Sequence, residues 1–141
     1  MSAYSVRYFR ECNLEDPFFD SLREDYPGFN DWFSKKSESD ETAYVSIEED
    51  KIQAFLYIKK EECESVGILP ALPRMKIGTI KVCETGIRLG EGAIGIALWE
   101  WQKSDLSQIY VTVFEKHNSL IKILEDFGFV NGGMKGDELV L

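Results

Sequence analysis

The sequence predicts one layered domain of the α/β or α+β class. The order of its segments, β-α-α-β-β-β-α-β-α-β-β, interleaves helices and strands without separating them into blocks. Its 141 residues are about the size of a single domain and enough to bury a core without disulfide or metal staples. Hydrophobic residues make up 44% and charged residues 29%, a globular balance. With no internal repeat, low-complexity tract or composition break, residues 1–141 read as one domain.

Tyr4 to Phe9 is rich in aromatic and β-branched residues and reads as the first strand. Asn13 is placed to cap a helix, with Asp16 three residues on in the capping-box position. Phe18, Leu22 and Tyr26 then recur at helical spacing until Pro27-Gly28 interrupts them. FNDWFSKK restarts a helix, with Phe29, Trp32 and Phe33 at i, i+3 and i+4. Ala43 to Ile47 and Ile52 to Ile58 form a hairpin turning at Glu49-Asp50. Lys59 to Arg74 is charged and then proline-bearing and reads as a loop, with Glu61, Glu62 and Glu64 on its solvated face. KIGTIKVC is the next strand.

ETGIRLGEGAIGIALWEW follows as a turn and then a helix to about Lys103, with Ile94, Ala97, Leu98 and Trp101 on one face. Trp99 and Trp101 lie two apart and cannot share a helix face, so one belongs to the core and the other to the surface or to a contact between two copies of the chain. SQIYVTVF is a strand that alternates Ile109, Val111 and Val113. NSLIKILEDFGF is a helix with Leu120, Ile121, Leu124 and Phe127 on one face and Gly128 as its stop. From Phe129 the pattern is a strand, a Gly-rich turn and the short strand ELVL.

The formal net charge of −9 argues against a nucleic-acid partner, which needs a basic face, and is compatible with a cationic substrate. The three cysteines, Cys12, Cys63 and Cys83, show no C-x-x-C spacing, so neither a disulfide framework nor a metal site is expected. No apolar run has the length of a membrane span, and the N-terminus lacks the apolar core of a signal peptide. The expectation is a soluble cytoplasmic protein with no membrane partner.

A strand, a Gly-bearing turn and a helix N-terminus together make an anion site, because the first helical N–H groups lack intrahelical partners and the helix dipole favours negative charge there. Gly86 and Gly90 would let a phosphate approach the backbone, and Arg88 would add a charge-assisted bond. The alternative is a tight turn with close helix packing, which is also the reading for Gly92 and Gly95. Neither G-x-x-x-x-G-K-[ST] nor G-x-G-x-x-G is present, so this is not a P-loop or a dinucleotide fingerprint.

Over its whole length the chain resembles the GNAT superfamily of N-acetyltransferases, in particular a bacterial subgroup with RLGE (Arg88 to Glu91) at the loop and VFEK at the end of the fifth strand. The family loop is [Q/R]-x-x-G-x-[G/A], onto which Thr85, Arg88 and Gly90 fall, and Gly128-Phe129 matches the family's usual helix ending. The resemblance implies a mixed, mostly antiparallel central sheet with helices on both faces. It implies acetyl-CoA as co-substrate, with no metal. The pyrophosphate would lie on Gly86, Ile87, Arg88, Leu89, Gly90 and Glu91, and the pantetheine arm along Ile80, Lys81 and Val82. His117 and Asn118 would stand near the cofactor. The implied reaction is direct attack on the thioester by a primary amine of a small molecule or protein.

Glu84, at a predicted strand end beside the loop, is placed to take the amine's proton directly or through a water; the alternative is a solvated charge. Asp25 and Tyr26 either line the acceptor cleft or form an exposed turn. Cys83 reads as a buried structural thiol in preference to an acyl-carrying nucleophile, since the lone histidine, His117, falls at the end of the next strand. The family's usual Tyr falls on Leu124, which cannot donate a proton, and its usual Asn on His117. A leucine there leaves open a catalytically weak or inactive acyl-CoA-binding regulatory module, or an interaction domain with no cofactor.

Overall fold

The computed structural model describes residues 4–66, 68–83 and 87–141. In chain order the elements are β1 (Ser5–Tyr8), α1 (Asp20–Asp25), α2 (Phe29–Ser37), β2 (Thr42–Glu48), β3 (Lys51–Val66), β4 (Leu69–Val82), α3 (Ile87–Lys103), β5 (Ile109–Phe114), α4 (Asn118–Asp126), β6 (Met134–Lys135) and β7 (Glu138–Val140). This is the order the sequence predicts. The strands form one seven-stranded sheet, β1-β2-β3-β4-β5-β7-β6. Every neighbouring pair is antiparallel except β4 and β5, which run parallel.

Side chains alternate across a strand, so β3 feeds two different cores. Phe55 and Tyr57 face α1 and α2, where Phe9, Phe19, Phe29 and Phe33 complete an aromatic cluster. Leu56 faces the opposite layer, against Ala93, Ile94 and Ala97 of α3, Val111 and Val113 of β5 and Leu124 of α4. The β2–β3 turn uses Glu49 (φ 51°) and Asp50 (φ 65°), the two left-handed residues that a tight hairpin needs. Gly128 (φ 98°) ends α4, and the Phe129 N–H returns to the Leu124 carbonyl at 3.0 Å.

Five expectations need correction. The stretch Lys59 to Arg74, expected as a loop, is not one: β3 continues to Val66 and β4 begins at Leu69, so the two form a hairpin arm. β4 meets β5 only from Met75 to Ile77, so upstream it has an open edge where a missing proline N–H costs no ladder bond. Register shifts between Glu61 and Glu64 and between Glu64 and Val66 take up the remaining irregularity. Glu61 is correspondingly no solvated residue, since its side chain is 10% exposed and accepts from the Tyr110 hydroxyl.

The 3₁₀ turn Pro17–Phe19 that leads into α1 is capped by Asp16, whose carboxylate accepts from the N–H groups of Phe18 (2.9 Å) and Ile52 (3.0 Å); Asn13 makes a local turn with Glu15. Phe127 lies past the end of α4 and is exposed, off the helix's apolar face. The segment from Phe129 stays irregular until Met134, so its strand has only two residues. Of the two tryptophans, Trp99 is the exposed one, with Lys103 Nζ 3.6 Å from its ring centroid, and Trp101 is half-buried.

Candidate active site

The two parallel strands diverge. β4 and β5 pair through Met75↔Ile109, Lys76↔Tyr110 and Ile77↔Val111. Beyond that, Thr79 to Val82 pair with β3, while Thr112 to Phe114 turn to β7. The parting begins at Gly78, the extra residue of a bulge between Ile58↔Ile77 and Tyr57↔Thr79. A Cβ at Gly78 would stand 2.8 Å from Tyr57 Cδ2, so the ring lies on bare backbone there. The sequence signal was a lone glycine inside a strand pattern, which marks a bulge or a close approach. Alternate backbone groups of β4 that would have bonded to β5 instead face the gap.

A cleft of about 1000 Å³ occupies the gap, between the α1–α2 turn, β4, β5 and the start of α4. Asp25 and Tyr26 line it, as one of the two sequence readings has it. The Asp25 carboxylate, 9% exposed, accepts from Lys116 Nζ and lies 3.3 Å from His117 Nε2. Burial by itself would raise the Asp25 carboxyl, but the bond and charge of Lys116, and then those of His117, hold it below its ordinary value. The Tyr26 ring rests on Phe114 at 5.4 Å, and its hydroxyl donates to Glu138 Oε2 at 2.6 Å. Burial first and the Glu138 carboxylate second push that hydroxyl's pKa well up. These contacts tie the α1–α2 turn to β5 and β7.

Ile80 and Val82 are directed to the aliphatic layer and Lys81 to the aromatic one, following strand alternation. The Lys81 ammonium donates to the Phe18 carbonyl, and burial lowers its pKa. Ile87, Arg88, Leu89, Gly90 and Glu91 form the first turn and a half of α3, with Arg88 exposed. Amides at the start of a helix lack intrahelical partners, and Ile87, Arg88 and Leu89 are the first described residues of α3, with Gly90 next. A Cβ at Gly90 would lie 3.4 Å from Ile123 Cδ1 and 3.8 Å from Val82 Cγ2, which places this glycine at the contact of α3 with α4 and β4. The Leu89 carbonyl accepts from the Tyr4 hydroxyl at 2.5 Å, a contact with no local signature across 85 residues. His117 and Asn118 open α4 at the cleft wall. Cys83 is half-buried on the same wall, which corrects the expectation of a buried thiol. Glu84 and Gly86 lie outside the described residues.

Among the described residues no group of His, Cys, Asp and Glu is arranged to hold a metal. No described helix is long and apolar enough to cross a membrane.

No family model matches the sequence, and no curated protein matches it. Solved structures do. A GNAT-family acetyltransferase from Streptococcus agalactiae aligns over 97% of this chain and 92% of its own, at 15% identity and a TM-score of 0.61. Arabidopsis thaliana Naa50, in complex with the bisubstrate analogue CoA-Ac-MVNAL, aligns over 99% and 96%, at 15% identity and a TM-score of 0.58. An aminoglycoside N-acetyltransferase in complex with CoA aligns over 94% of each chain, at 10% identity and a TM-score of 0.60. The fold is the GNAT fold. Leu124 is fully buried in the aliphatic layer.

Proposed function

We propose that the protein is an N-acetyltransferase that moves the acetyl group of acetyl-CoA to a primary amine by direct attack. The observation that carries this reading is the parting of β4 from β5 at Gly78, which leaves strand backbone facing a cleft that reaches Gly90 of α3. The amides of Ile87, Arg88 and Leu89 would take the pyrophosphate, with Gly86 and Glu91 beside them. The pantetheine arm would run along Ile80 to Val82, where β4 amides facing the gap can bond to it and polarise the thioester carbonyl. His117 and Asn118 would flank the arm from α4. Acetyl-CoA is the co-substrate, and the acceptor is a small-molecule or protein amine.

Amine attack forms the new C–N bond, the C–S bond breaks, the amine proton goes to Glu84 directly or through a water, and the departing thiolate takes a proton from solvent, leaving free coenzyme A. Calorimetric titration of acetyl-CoA tests binding, and release of free thiol in an amine screen tests transfer. Glu84→Gln should lower turnover by about 10²–10⁴ and leave the coenzyme A Kd near wild type. Wild-type turnover in that variant would return the proton to solvent. The burial of Leu124, with no hydroxyl at the family's acid position, supports a second reading: a module that binds acyl-CoA for regulation and transfers slowly or not at all. Tight binding with no thiol release from any amine would favour it.

A further inference from the structure

The charge of the cleft opposes that of the chain. The protein has a net charge of −9, yet the described charged side chains lining the cleft are Lys59, Lys76, Lys81 and Lys116 against Asp25. Three of these lysines are occupied. Lys116 is held by Asp25, Lys81 by the Phe18 carbonyl, and Lys59 by Glu61 at 3.5 Å. Lys76 is not. It lies opposite Tyr110, within the last stretch of pairing before the strands part, and it makes no hydrogen bond or ion pair among the described residues. Its Nζ stands 5.7 Å from the Tyr110 ring centroid, and the side chain is half-buried.

The carboxylates around Lys76 are committed elsewhere. Glu61 accepts from the Tyr110 hydroxyl and pairs with Lys59, and Glu138 accepts from Tyr26. Burial, and then the charge of Lys135, lower the pKa of Lys76 against the opposing pull of Glu61 and Glu138. A half-buried ammonium with no acceptor is costly, and an anion arriving in the cleft would relieve that cost. The position suits an acceptor. Lys76 precedes Gly78 by two residues, about 7 Å along the strand, whereas Val82 and the start of α3 lie at the opposite end, about 20 Å away. A cofactor whose phosphates sit at α3 would end near Gly78, with Lys76 beyond its reactive tip.

We infer that Lys76 binds an anionic group of the acetyl acceptor, so that the substrate is an amine bearing a carboxylate or phosphate close to its amino group. The inference rests on the acetyl-transfer reading for which molecule enters, but the anion site itself is read without turnover.

The probes are reaction products, which have no amine of their own: N-acetyl-4-aminobutyrate, its amide, and N-acetyl-phosphoethanolamine. Trace labelling of lysines with an amine reagent, followed by peptide mass spectrometry, is run with and without coenzyme A. Labelling of Lys76 should fall several-fold with the anionic probes and stay unchanged with the amide, while Lys103 labels equally throughout; the two anionic probes separate carboxylate from phosphate. In turnover, 4-aminobutyrate or phosphoethanolamine should be preferred over uncharged amines. Lys76→Met should raise KM for the anionic amines about tenfold or more and erase that preference, and Lys76→Arg should restore part of it. Equal labelling with all probes, an unchanged KM in Lys76→Met, or acetylation of Lys76 itself on incubation with acetyl-CoA would overturn the inference. Failure of acetyl-CoA to bind would instead overturn the acetyltransferase reading, and the labelling without cofactor would still decide Lys76.

Discussion

The Tyr26 hydroxyl donates to Oε2 of Glu138 at 2.6 Å, joining the turn after α1 to the start of β7 across 112 residues of sequence. The Tyr26 ring also rests on Phe114, so the contact has an apolar part and a polar part that substitution can separate. Tyr26→Phe keeps the ring and removes the donor. Loss of a hydrogen bond to a carboxylate should cost about 1–3 kcal/mol. Urea unfolding should show a lower midpoint at unchanged slope. An unchanged midpoint would mean that water replaces the bond at no loss.

Asp25 gives a pH dependence of definite sign. Its carboxyl is held below its ordinary value, although burial opposes this, because Lys116 and His117 face it. Its stabilising effect is therefore fully present above the unfolded value of about 3.9 and is lost as pH falls through the folded one. Asp25→Asn should be less stable than wild type at pH 7, and the gap between the two should close as pH drops below about 4. A gap that stays constant down to pH 3 would contradict the assignment.

The order of elements was readable because the strongly periodic segments carry it. Ile94 and Ala97 on α3 and Val111 and Val113 on β5 are buried where their spacing puts them. The β3–β4 arm was not readable. Pro70 and Pro73 are loop signals in a sequence, and only the limited pairing of β4 with β5 makes them compatible with a strand. The site was legible in part. Gly90 stands out by composition, but composition does not distinguish a glycine under a phosphate from one under a neighbouring helix, and Ile123 3.4 Å from its Cβ position is a long-range fact. The Asp25–Lys116 and Tyr26–Glu138 contacts cross 91 and 112 residues and have no local signature.

That distinction between Gly90 and its neighbours can be tested. Gly90→Ala adds a Cβ at an ordinary contact distance from Ile123 and gains up to about 1 kcal/mol of helix propensity, so it should bind coenzyme A normally and be no less stable. Arg88→Gln removes a charge, whereas Arg88→Pro removes the charge and an amide at a helical position that tolerates proline. If the α3 amides hold the pyrophosphate, Arg88→Pro should weaken coenzyme A by about 10–100-fold beyond Arg88→Gln. Equal affinities in the two variants would place the phosphates elsewhere.

Leu124 decides between two roles for one helix position. Its side chain is fully buried among Ile94, Val113 and Phe129, and its carbonyl accepts the Phe129 N–H that closes α4. A residue so placed acts through packing. Leu124→Ala should cost about 2–5 kcal/mol, since a rigid aliphatic layer collapses only partly around the lost atoms. Leu124→Tyr, which restores a hydroxyl, should also destabilise, by about 1–3 kcal/mol, because the site is already filled. Neither variant should change the slope of the pH–rate profile when rates are taken per folded molecule, for no proton passes through this position. A rate gain in Leu124→Tyr with a new basic limb near the phenol range would show that the hydroxyl reaches the thiolate. The helix would then have to present position 124 to the cleft and not to the aliphatic layer.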